Sequence, residues 1–156
     1  MENNISSQIN ISMPNLINIC VNEKEHGEIK GQLYHCYAKD SVLFGNVIEL
    51  LTLAEKLYDT ICFPQASTKT RTFLESELQV QTARPEKVAA STDVISHRGK
   101  IGSFVLCVRF RQNSTWQGEV FWLEKGIGKR FSNTLDFIKI LDSAVNTIEK
   151  YGKKQL

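Results

Sequence analysis

The stretch FVLCVRFRQNSTWQGEVFWLEKGIGKRFSNTLDFIKILDSAVN (residues 104–146) aligns without a gap on INICVNEKEHGEIKGQLYHCYAKDSVLFGNVIELLTLAEKLYD (residues 17–59), 87 positions earlier. Cys20 matches Cys107, Val21 matches Val108, Gly31 matches Gly118, Phe44 matches Phe131 and Asn46 matches Asn133. Between these identities the apolar character is kept, as in Ile19 with Leu106, Tyr34 with Phe121 and Leu53 with Ile140. The identities fall where a backbone or a core makes a specific demand. The chain therefore reads as a concealed duplication of one structural unit.

Within each copy the apolar period changes from two to about 3.6. Phe104 to Arg111 alternates, with Phe104, Leu106, Val108 and Phe110 on one face and Val105, Cys107, Arg109 and Arg111 on the other. After the polar turn Gln112–Thr115, the run Trp116–Glu124 is apolar on both faces. Such a strand is covered on both sides, by helix and sheet or by a partner subunit. Gly126-Ile127-Gly128 turns the chain toward Arg130-Phe131 and a helix. The first copy follows the same path from Ile17, through a turn near His26-Gly27, along Ile29–Tyr37 and on to Val42–Phe44.

Both helices begin alike. Asn46 precedes Glu49 by three residues, and Asn133 precedes Asp136 by three. An N-cap Asn accepts from the free N–H groups of the first turn, and the acid suits the positive end of the helix dipole. One helix is predicted over about Val47–Ile61, with Leu50, Leu51, Ala54, Leu57 and Ile61 on its core face. The other is predicted over about Thr134–Tyr151, with Phe137, Ile140, Leu141, Ala144 and Ile148 in the same phase. Each should pack on its own repeat's sheet.

Repeat one spans about residues 17–61 and repeat two about 104–151, joined by a polar connector over about 63–100. Within the connector, Phe73–Gln81 and Thr92–Ile95 each read as a short strand. A connection of that length inside one domain is functional, disordered or exchanged with a partner. The fold class is α+β: two ββ(β)α repeats related by a pseudo-twofold, with an antiparallel sheet or small barrel and two packed helices.

The 156 residues suffice for a single domain with a real core. A net charge of +2 carries no strong signal for duplex nucleic acid or for a membrane surface. No run approaches the ~20 apolar residues of a membrane span, and Met1–Asn15 has neither the basic start nor the apolar core of a signal peptide. These features predict a cytoplasmic protein. Cys20, Cys36, Cys62 and Cys107 lack metal or redox spacing and read as buried free thiols, and His26, His35 and His97 are scattered. No metal, cofactor or catalytic constellation is expected.

Two places could hold a ligand. Arg109 and Arg111, with Trp116 and Trp122 across the following hairpin, could form a stacking and anion-gripping surface. The competing reading makes Trp122 core, sets Trp116 over the hairpin and pairs the arginines with Glu119 or Glu124. Phe63–Arg71 places Gln65 and Arg71 among hydroxyls in a loop leaving the first helix, as a binding loop or a solvated linker would. The equivalents of Arg109, Arg111, Trp116 and Trp122 in the first copy are Asn22, Lys24, Ile29 and His35, so the first half should do less of this work.

The strings Arg111–Gly118, Trp122-Leu-Glu124 and Phe131–Asp142, with Phe63–Thr68, Arg71 and Phe73, resemble small, functionally uncharacterised proteins of clostridia and related Firmicutes. The resemblance implies a bacterial cytosolic origin and no particular activity. The expectation for function is a non-enzymatic binding or regulatory module for a small anion, a nucleotide or single-stranded nucleic acid. A protein–protein module acting as a homodimer is the alternative, and an enzyme stands last.

Overall fold

The alternating runs become strands in the computed structural model, which describes residues 9–65 and 85–152. The first half supplies β1 (Ile17–Glu25), β2 (Glu28–His35), β3 (Val42–Phe44) and α1 (Val47–Ile61). The single turn α2 (Ser91–Val94) lies in the connector. The second half supplies β4 (Gly102–Phe110), β5 (Gln117–Trp122), β6 (Ile127–Phe131) and α3 (Thr134–Gly152). All six strands form one antiparallel sheet in the order β3-β2-β1-β4-β5-β6. The sheet is open, with β3 and β6 at its edges, rather than a barrel. Its centre is the β1–β4 pair, where Ile17 faces Leu106 and Ile19 faces Phe104.

The halves meet the same local demands. Gly31 pairs with Phe44 and Gly118 with Phe131. A Cβ at Gly31 would overlap the Cys20 carbonyl oxygen, and one at Gly118 would overlap that of Cys107, so neither position accepts a side chain without moving backbone. The register shifts between Val21 and Glu23 in β1, and between Val108 and Phe110 in β4. The Asn46 side chain accepts from the Glu49 N–H, and Asn133 from the Asp136 N–H, each at 2.8 Å. The N-cap expectation holds at both helices.

Both long helices lie on one face of the sheet. Leu50, Ala54, Leu57, Tyr58 and Ile61 of α1 join Phe137, Leu141, Ala144 and Val145 of α3 over Ile19, Leu33, Phe104, Leu106 and Val120. The other face is covered by the chain itself: Ile9, Met13 and Leu16 cluster with Val105, Cys107, Phe121 and Leu123, and Ile95 packs against them. This explains why β5 is apolar on both faces without a partner subunit. Ordered connector backbone is stitched to β1 here, as Ile101 N–H donates to the Val21 carbonyl at 2.9 Å and Lys100 N–H to Asn22 Oδ1 at 3.0 Å.

Two expectations need correction. Thr92–Ile95 is not a strand: Val94 and Ile95 N–H groups return to the carbonyls of Ala90 and Ser91, both at 3.1 Å, closing a turn that buries Val94. Cys62 is exposed, unlike the other three thiols, because it is the left-handed C-cap of α1 (φ 54°). The proposed strand over Phe73–Gln81 lies outside the described residues. Among the described residues, no helix is long and apolar enough to cross a membrane.

Candidate functional site

The Arg–Trp hairpin is not one open surface. The bulge in β4 separates the two arginines that simple alternation puts on a common face. Arg109 stays outside, where its Nε and Nη2 reach Glu119 at 3.3 and 3.4 Å, while Arg130 approaches the same carboxylate at 3.7 Å. Arg111 turns under α1 and is only 4% exposed. Its Nε donates to the Pro64 carbonyl at 2.7 Å, and its Nη1 donates to Glu55 at 3.1 Å and Asp59 at 2.7 Å. The guanidinium also lies over the Tyr58 ring, 5.7 Å from its centroid.

Trp116 belongs to the same knot. It is buried, its ring meets Tyr58 edge-on at 5.7 Å and Phe137 at 5.8 Å, and its indole N–H donates to Glu55. Trp122 lies elsewhere, against Phe104, with Lys125 over its ring. Gln65 is exposed just beyond Pro64, and Arg71 lies outside the described residues. The structure thus joins Arg111 to Trp116 and leaves Arg109 and Trp122 apart. Two carboxylates and a carbonyl already engage Arg111, so the sequence expectation of an anion-gripping cation at this position gives way to a structural clamp.

The same connection recurs on the other side of the sheet centre. Lys24, at the position matching Arg111, donates to Asn146 Oδ1, and Asn146 Nδ2 donates to Asp142 at 3.2 Å. Asp142 and Asn146 match Glu55 and Asp59. Each helix therefore ends over the other half's hairpin, so it does not pack on its own repeat's strands alone.

A cleft among the described residues lies in the first half. Tyr34 and His35 close β2, Ala38 and Lys39 follow in the turn, and Val88, Ala89, Asp93, Val94 and His97 come from the connector. Together they line a space of about 230 Å³. Backbone bonds fix the connector wall: Val88 and Ala89 N–H groups both donate to the Cys36 carbonyl, at 2.7 and 3.1 Å. Asn18, the cross-strand neighbour of Tyr34, is fully buried. Its Nδ2 donates to the carbonyls of Val94 and His97 at 2.8 and 2.9 Å. The Tyr34 and His97 rings stack in parallel, 3.7 Å apart with 4° between their planes.

His35 adds a donor of defined tautomer. Tyr37 N–H donates to His35 Nδ1 at 3.1 Å, so a neutral ring carries its proton on Nε2. Burial pushes the His35 pKa below its ordinary value and favours that neutral form. Lys39 and Asp93 bring opposite charges to the cleft and form no ion pair with each other. The arrangement offers an aromatic plate, a cation, a carboxylate and a neutral imidazole donor. Burial raises the Cys20 thiol to about 11 and the Cys107 thiol to about 12, which keeps both protonated and unreactive. Among the described residues, no group of three His, Cys, Asp or Glu could hold a metal ion.

Sequence reasoning missed this cleft because its residues come from two segments some fifty positions apart with no motif spacing. One signal was present: Tyr34, His35 and Lys39 stand where the second half has Phe121, Trp122 and Gly126. Comparison with protein-family models, curated proteins and solved structures found no match to the chain.

Proposed function

We propose that this chain is a non-enzymatic binding module whose ligand is a small charged molecule seated between the end of β2 and the connector. The observation that carries the reading is a cleft lined by the Tyr34–His97 ring pair together with Lys39 and Asp93, its backbone fixed by Asn18 and Cys36. Concave sites with a few placed polar groups are where small ligands bind. The Arg111–Trp116 knot supports the role of a clamp between halves. A screen of small anions and cations by amide NMR tests the proposal. Shifts confined to residues 34–39 and 88–97 support it, and a screen that moves only the Arg109 hairpin, or nothing, removes it.

The chain is further read as a duplicated βββα unit with pseudo-twofold symmetry. The matching glycines, bulges and caps support this reading, and so does the crossed pairing of Lys24 with Asn146 and Arg111 with Asp59. A bacterial cytoplasmic origin, suggested by the likeness to clostridial proteins, belongs to the same proposal. One observation favours a homodimer as the second reading: Leu43 on edge strand β3 and Ile48 in the first turn of α1 are each 75% exposed. Light scattering on a sizing column decides it, since a monomer at high concentration ends the homodimer reading.

A further inference from the structure

We infer that the ligand of the β2–connector cleft is a single-ring aromatic zwitterion, of the class of a free aromatic amino acid. This rests on the proposal that the cleft is the binding site and adds the chemistry of what enters it. Size is the first constraint. At about 230 Å³ the space lies below the roughly 300–1,000 Å³ of pockets that hold drug-sized ligands, so a nucleotide or an oligonucleotide is too large to be enclosed. One ring with a short polar arm fits that scale.

Charge is the second constraint. Lys39 and Asp93 line one cleft without pairing with each other, so a ligand bearing both a carboxylate and an ammonium engages both. An anion alone meets the Asp93 carboxylate, and a cation alone meets Lys39. The neutral His35 Nε2–H is a further donor, suited to a carboxylate oxygen. The third constraint is shape. Tyr34 and His97, stacked on one another, line the cleft with aromatic surface, which suits a flat ring better than a branched aliphatic chain. Val88, Ala89 and Val94 supply the remaining apolar lining.

Calorimetric titration of the full chain with four probes separates these constraints. L-phenylalanine carries ring, carboxylate and ammonium. 3-Phenylpropionate lacks the ammonium, phenethylamine lacks the carboxylate, and L-alanine lacks the ring. L-phenylalanine should bind about tenfold tighter than each of the other three. Lys39→Gln should weaken L-phenylalanine and 3-phenylpropionate but leave phenethylamine unchanged, whereas Asp93→Asn should weaken L-phenylalanine and phenethylamine only. Both side chains are exposed, so neither variant threatens the fold. If 3-phenylpropionate or phenethylamine matches L-phenylalanine, or L-alanine does, the zwitterion class falls while the cleft remains a binding site. If no probe binds and amide NMR shows no shift at residues 34–39 or 88–97 with any small ion, both this inference and the binding reading fall.

Discussion

The two halves use one backbone plan and fasten it with different chemistry. In the second half's hairpin, Arg111 is buried and bonded to Glu55, Asp59 and the Pro64 carbonyl, with Trp116 locking Glu55 from the side. At the matching place in the first half, half-buried Lys24 donates to the Asn146 side chain. A guanidinium stripped of water and bonded to several acceptors contributes more than an ammonium that still reaches solvent. The difference teaches that the sheet's two ends are unequally secured. The half with the weaker latch also lines the Tyr34–Lys39 cleft.

The sharpest way to break this comparison is to remove each latch. Arg111→Ala should cost roughly 2–4 kcal/mol in urea unfolding, since a buried side chain and its bonds to Glu55, Asp59 and the Pro64 carbonyl are lost together. Lys24→Ala should cost no more than about 0.5 kcal/mol, as exposed pairs do. Equal losses would mean that the latches do not differ as their burial implies.

Next in size come the glycines. Gly31→Ala and Gly118→Ala should each destabilise by roughly 1–3 kcal/mol, because a methyl there meets a backbone carbonyl rather than a yielding side chain. A harmless substitution at either site would show that its strand can slide to make room. The caps should be the most nearly equal pair: Asn46→Ala and Asn133→Ala should each cost about 1 kcal/mol in the same assay.

The smallest effect is a pH dependence confined to the first half, because His35 faces its counterpart Trp122 only in sequence. The folded pKa of His35 lies below its ordinary value of 6.5, so the folded state binds fewer protons than the unfolded chain. Its contribution to stability is present above pH 6.5 and is lost as pH falls through the folded value. Melting temperature should therefore drop between pH 7 and 5, and His35→Gln should flatten that slope. An unchanged slope in the variant would assign the dependence to other groups.

Much of the fold was legible in advance because its determinants are local and repeated. Alternation marked β4, an apolar run between two turns marked β5, an acid three residues past Asn marked both helix starts, and the spacing of 87 related the halves. The direction of Arg111 was not legible. It depends on a one-residue bulge after Val108, which reverses the face that strict alternation assigns. Thr92–Ile95 reads as a strand for a similar reason: the single helical turn Ser91–Val94 is too short to show its period, and tertiary burial of Val94 decides it. The cleft was hidden because Lys39 and Asp93 become neighbours only through backbone bonds from Cys36 and side-chain bonds from Asn18.

The crossed latches also decide how the two halves depend on each other. The first half carries a hairpin cation, Lys24, and a helix with the acceptors Glu55 and Asp59; the second carries Arg111 with Asp142 and Asn146. Each half thus holds both ends of a latch that it cannot close on itself. Each cation reaches across the sheet centre to the other half's helix, so cutting either latch loosens both halves at once.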